Sequence, residues 1–244
     1  MKKYLYSLLF FTILLLVWES FFDFFHVNTA IISSPSQIFL ALLINWQILL
    51  PHVLQTCIET VIGFAVAILL GLLFSLLLFY LPRIRTTLYP ALVISQTIPL
   101  IALAPLLLLW FGFGLFPKVI VVILYCFFPI TVAYVDGLVA VDKKKVLLLQ
   151  SMGASEITIF RLVRFPEALP SFFSGLKVAA TYAFTGAIVG EYVGAYQGVG
   201  IYMQEAANSH AVALVFALIF VIIIASIMLF SLVILAEKIF VFYR

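Results

Sequence analysis

Charge is what this chain has least of: Asp, Glu, Lys and Arg together make 9% of its 244 residues, against 66% hydrophobic ones. A chain of this kind lacks the polar surface that a water-soluble globule of its size needs, so it reads as an integral membrane protein. Cysteine is nearly absent. Cys57 and Cys126 both fall inside apolar runs without metal or redox spacing and are expected to pack as small hydrophobes. Histidine is as sparse: His26, His52 and His210 share no spacing, so they are expected at membrane interfaces and no metal site is expected. There is no GxxxxGK[ST] phosphate loop, so the chain itself is not expected to hydrolyse ATP. Paired carboxylates, or a serine with a base, at helical spacing within the apolar runs are also missing, which argues against an intramembrane enzyme. No solenoid-length repeat or low-complexity linker divides the chain, and residues 1–244 read as one membrane domain.

What is there is a series of apolar runs near 5–25, 54–80, 88–111, 117–136, 170–195 and 212–236. Each has the roughly 20 residues that one helical crossing requires, giving an all-α protein of about six transmembrane helices. The basic, then apolar N-terminus resembles a signal peptide but runs into Trp18–Phe25 without a small-residue cleavage site, and is expected to stay as the first span. With the N-terminus inside, twelve of the thirteen basic residues fall on or near the cytoplasmic side and Lys118 alone lies outside. Both termini are then cytoplasmic, and the net charge of +3 reflects topology and calls for no nucleic acid. On the outer side, Ser34, Pro35 and Gln37 form a capping-box signature, from which a short surface helix over 35–46 is expected. Phe residues near 21–25 and the three Trp residues fit aromatic anchoring at the boundary with lipid.

One segment is out of character. Residues 137–169 form the only long cytoplasmic loop and look structured: a helical run through Leu147–Leu149 is stopped by Gly153, and Ser155 caps "EITIFRLVR", expected to end at Pro166. Ile157, Phe160 and Val163 put apolar groups on the cytoplasmic side, where they need a covering surface. A protein socket is the favoured cover, and an amphipathic helix resting on lipid the alternative.

Gly153 is followed after nine residues by Val163-Arg164-Phe165-Pro166, with Leu147-Leu148-Leu149 four to six residues before it. This spacing resembles the signature cytoplasmic loop of permease subunits of binding-protein-dependent ABC importers, a Glu-Ala-Ala, three residues, Gly, nine residues, Ile-x-Leu-Pro pattern. The departure is at the front, where three leucines replace Glu-Ala-Ala. "IPLIALAPLLLLWFGFG" (98–114) and "GEYVGAYQGVG" (190–200) are similar to the nitrate, sulfonate, taurine and thiamine-precursor branch of the family. The resemblance implies a type I ABC importer permease fold in the bacterial cytoplasmic membrane. It further implies a homodimeric channel worked by two cytosolic ATPase subunits that bind the ATP, and fed by an external substrate-binding protein. Gly153, Ala154, Ser155, Glu156, Ile157, Phe160 and Pro166 would then form the coupling element. The solute implied is a thiamine-precursor pyrimidine or a sulfonate; a nitrate- or taurine-type anion and a passive channel remain the alternatives.

Within the spans, Glu191 is either turned to a cavity, partner or interface, or solvated at the outer headgroups. Gly186, Gly190 and Gly194 recur every four residues, as helix packing requires. Gln96 and Thr97 either line the translocation path or satisfy backbone groups freed by Pro99; Glu59 either lines the path or is hydrogen-bonded within the bundle.

Overall fold

The structure, a computed structural model, describes residues 2–25 and 31–241, so His26 and Arg244 lie outside the described residues. It is all-helical. In chain order the elements are α1 (Lys2–Phe25), α2 (Pro35–Tyr80), α3 (Pro82–Ser95), α4 (Leu100–Phe111), α5 (Leu115–Val139), α6 (Lys143–Ser151) and α7 (Glu156–Ile159). A π-helical turn (Phe160–Arg164), α8 (Phe165–Tyr192), α9 (Val199–Asn208) and α10 (Val212–Phe240) complete it. Among the described residues four helical runs are long and apolar enough to cross a membrane: α2, α5, Glu156–Tyr192 and α10. The pair α3 and α4 makes a fifth if taken as one broken span. The remaining expected crossing, 5–25, lies on α1, whose apolar stretch Thr12–Phe22 is shorter than these.

The capping box at Ser34 forms as its residues suggest: the Gln37 amide donates to Ser34 Oγ at 3.4 Å and the Ser34 amide to Gln37 Oε1 at 3.3 Å. The helix it starts is not the expected short surface helix over 35–46. α2 runs unbroken for 46 residues through Pro51, a length of about 69 Å at ~1.5 Å per residue, roughly twice the hydrocarbon thickness. A single internal proline costs one backbone hydrogen bond, which α2 carries without a break. The run 88–111 shows the opposite outcome. It is not a continuous span, because α3 and α4 meet at 101° across Gln96–Pro99. Thr97 and Ile98 close tight turns onto Ile94 and Ser95, and Pro99, which cannot donate, biases Ile98 away from helix.

α5 is the centre of the bundle, with α2 on one side and α8 on the other. The α8 face toward it is built of small residues: Ala179, Ala183 and Ala187 are fully buried. A Cβ on Gly175 would lie 2.8 Å from the Pro129 carbonyl, and one on Gly186 3.0 Å from Val122 Cα. Gly190 comes as close to Lys118 Cα, also at 3.0 Å. Helices that gain little from hydrophobic burial against lipid gain dispersion energy from this close approach. Gly186 and Gly190 thus pack helices within the subunit, whereas Gly194 lies beyond the end of α8, against Leu108 and Phe113. Cys126 is buried in the same seam and Cys57 is half-buried on α2, both as free thiols. α10 closes the bundle against α2 and α8, where Lys177 and Glu237 pair at 3.0 Å.

Candidate functional site

The segment expected to be cytoplasmic begins where Asp142 caps α6, its Oδ1 accepting from the Lys144 amide at 2.9 Å. α6 ends as a Schellman motif. The Ala154 amide donates to Leu149 O and the Gly153 amide to Gln150 O, each at 3.0 Å, with Gly153 at φ +80. Ser155 then caps α7 by accepting from the Thr158 amide at 3.3 Å. Gln150 and Glu156 join the two arms at 3.2 Å. Lys145 pairs with Glu167 across the segment, and that hydrogen bond holds its ammonium above the usual lysine range.

The helix starting at Glu156 does not end at Pro166. It continues through the π turn into α8, so that Glu156–Tyr192 is one run. The Phe165 amide donates to Phe160 O, five residues back, and the wider turn relieves the clash of the Pro166 ring with the preceding carbonyls. Phe160 is also not left free. Its ring packs 6.4 Å from Phe79, 6.0 Å from Tyr80 and 6.2 Å from Phe165, and the Arg164 guanidinium covers Phe79 at 4.8 Å. Around the Gly153 turn the apolar groups left uncovered are Leu147, Leu148, Met152 and Ile157, the last two 73% and 67% exposed, and Leu162 is exposed further along the helix. The first four flank the turn on both sides.

At the other end of α8 the sequence-derived candidates gather in an arrangement that reading by spans does not reveal. His52, Gln55, Thr56 and Glu59 share one face of α2 at three- and four-residue spacing. Glu59 is fully buried, pairs with Lys118 Nζ at 2.8 Å and accepts from Gln55 Nε2 at 2.8 Å. Lys118, expected alone on the outer side, is therefore a buried partner in the first turns of α5. Glu191 is equally buried, which removes the solvated headgroup reading. Its carboxylate accepts from Thr56 Oγ1 at 2.6 Å and from the Gly200 amide. Thr56 Oγ1 accepts in turn from the Val199 amide at 2.8 Å. His52 lies with Nδ1 at the Gly198 backbone and its ring stacked on Tyr202 at 4.7 Å, so it is no surface histidine. The glycines of "QGVG" make room for the acid: a Cβ on Gly198 would lie 2.2 Å from Glu191 Cδ, and one on Gly200 2.9 Å from Glu191 Cβ. Glu59 and Glu191 fasten α2, α5, α8 and α9 together.

Gln96 and Thr97 occupy the turn between α3 and α4, at the edge of a cavity of about 460 Å³ that reaches α5 and α8. The Thr97 hydroxyl donates to Ile94 O at 2.7 Å, satisfying backbone near Pro99, while Gln96 turns out exposed. Tyr125 and Tyr182 line the opposite wall. Sequence reading missed both, as it missed Thr56 and Lys118; single polar residues in apolar helices gave the only signal. Among the described residues no group of three or more His, Cys, Asp or Glu side chains is placed to hold a metal ion.

Comparison with known proteins agrees with this geometry. Residues 63–241 match the profile described as binding-protein-dependent transport system inner membrane component. The chain is 38% identical over 224 residues to the formylaminopyrimidine transport permease protein ThiX of Halalkalibacterium halodurans, covering 91% of this chain and 89% of that protein. To the taurine transport system permease protein TauC of Escherichia coli it is 27% identical over 184 residues, covering 75% of this chain and 66% of that protein. A crystal structure of an amino acid ABC transporter with histidines overlays with a TM-score of 0.65 at 16% identity, over 82% of this chain and 97% of that one, a likeness of fold. With the family profile spanning most of the bundle and a 38%-identical permease covered along nine tenths of its length, the chain belongs to the inner-membrane permease components of binding-protein-dependent ABC importers.

Proposed function

We propose that this permease imports a thiamine-precursor pyrimidine, the solute class named for its 38%-identical relative. That identity along nine tenths of both chains is the observation that carries the reading. In this arrangement two copies of the chain form the channel, both termini face the cytoplasm, two ATPase subunits bind and hydrolyse the ATP, and an external binding protein delivers the solute. Gly153, Ala154, Ser155, Glu156 and Ile157 form the contact with the ATPase, with uncovered Met152 and Ile157 as its apolar anchors. Phe160 and Pro166 serve it from behind by fixing the segment to α2 and α8. Closure of the ATPases presses on this element, and rigid-body motion of the spans opens the path to one side and then the other.

A taurine-type anion is the second reading, supported by the 27% identity to a taurine permease. A passive channel would have no use for a capped and Schellman-closed cytoplasmic element. The test is uptake of labelled formylaminopyrimidine and of taurine into proteoliposomes holding permease, ATPase and binding protein. ATP-dependent accumulation of the pyrimidine supports the proposal; accumulation of taurine alone, or equal flux without ATP, overturns it. The purified chain alone is expected to show no ATP hydrolysis.

A further inference from the structure

The break between α3 and α4 opens a cavity of about 460 Å³ in the middle of the spans, a size suited to a small organic ligand. Its position follows from the chain. Ser95, Gln96 and Thr97 sit halfway along the α3–α4 pair, Tyr125 halfway along α5, and Tyr182 in the apolar part of α8. The hydroxyls of Ser95 and Thr97 donate to the Ala91 and Ile94 carbonyls, each at 2.7 Å. The Gln96 carboxamide and the two phenols have no hydrogen-bond partner among the described residues, and Tyr182 is 49% exposed. Polar groups facing hydrocarbon at this depth are costly. Three that converge on one cavity point to polar contents. No charged side chain lines the cavity. An anion held there would have no counter-charge, whereas a flat neutral ring would find aromatic faces to stack on and an amide to pair with.

We propose that this cavity is a transit site for a neutral heteroaromatic solute, stacked on Tyr125 and Tyr182 and hydrogen-bonded by Gln96. The inference rests on the pyrimidine reading and deepens it: the permease itself, beyond the external binding protein, discriminates a neutral ring from a sulfonate. Tyr125 and Tyr182 are specificity-determining residues in this account.

The test uses the assembled importer in proteoliposomes with formylaminopyrimidine and taurine as probes, the binding protein at saturation, and ATPase copurification as the check on assembly. Tyr182→Leu and Gln96→Leu are expected to slow pyrimidine uptake about ten-fold, the loss of one stacking or polar contact, while Tyr182→Phe stays within about two-fold because the ring remains. Gln96 lies in an exposed turn, so Gln96→Leu serves as the test even where Tyr182→Leu fails to assemble. Wild-type uptake of taurine with none of the pyrimidine overturns the solute class and this site with it. Wild-type uptake of the pyrimidine, with assembled Tyr182→Leu and Gln96→Leu running at the wild-type rate, overturns the site and leaves the solute class standing.

Discussion

Lys118 Nζ lies 2.8 Å from Glu59 Oε1, with both side chains shut away from solvent. Removing one member of a buried pair strands the other, at a cost of about 3–5 kcal/mol, whereas neutralising both is far milder. Lys118→Met is therefore expected to lower the melting temperature in detergent strongly, and Glu59→Gln with Lys118→Met to recover most of the loss. Equal stability of the single and double variants would show that the pair does not hold the bundle.

Gly198 and Glu191 make a second coupled pair. Gly198 has φ +142, and a methyl group there would overlap the Glu191 carboxyl carbon, so Gly198→Ala is expected to cost more than ~2 kcal/mol through strain and overpacking together. Gly112→Ala is the control: at φ +73 with no atom within 4 Å of an added Cβ, it should cost only about 1 kcal/mol, from the backbone alone. Thermal unfolding followed by size-exclusion chromatography separates the two.

The element around Gly153 predicts a division of labour. Ile157→Asp should abolish ATPase copurification without moving the melting temperature, because its side chain touches little within the subunit. Phe160→Ala should lower stability by about 2 kcal/mol by removing the ring between Phe79, Tyr80 and Phe165. Gly153→Val adds about 1–2 kcal/mol of strain at the φ +80 turn and should reduce transport more than it reduces insertion. Full ATPase binding by Ile157→Asp would remove the docking role.

Orientation is tested by chemistry. After Cys57→Ser, Cys126 should resist maleimide in the folded protein because it is fully buried, and Ser155→Cys should react with impermeant reagent only from the cytoplasmic face. Labelling from outside would reverse the topology.

Much of this architecture could be read from the residues alone. The caps at Ser34 and Ser155 and the turn at Gly153 were legible because local hydrogen-bond chemistry decides them. The two prolines in question could not be ranked. Pro51 is absorbed into α2 while Pro99 follows the tight turns at Thr97 and Ile98 that break a span, a difference not set by the proline itself. Glu59 and Glu191 were visible as anomalies, but Lys118 as the partner of Glu59 was not, since their meeting depends on how α2 and α5 are arranged. Phe160 was misplaced for the same reason: helical spacing names a face, and only the fold shows that Phe79 and Tyr80 already occupy it.

The continuity of Glu156–Tyr192 has a mechanical consequence. Thirty-seven residues without a break make a rod of about 55 Å at ~1.5 Å per residue, with Ile157 at one tip and Glu191 at the other. A force on the Ile157 tip needs no relay of side chains to reach the distant anchorage; it travels as thrust and tilt of one lever. The compliant place along it is the π turn at Phe160–Arg164, one residue overwide, where the ring of Phe160 rests on α2 as a fulcrum.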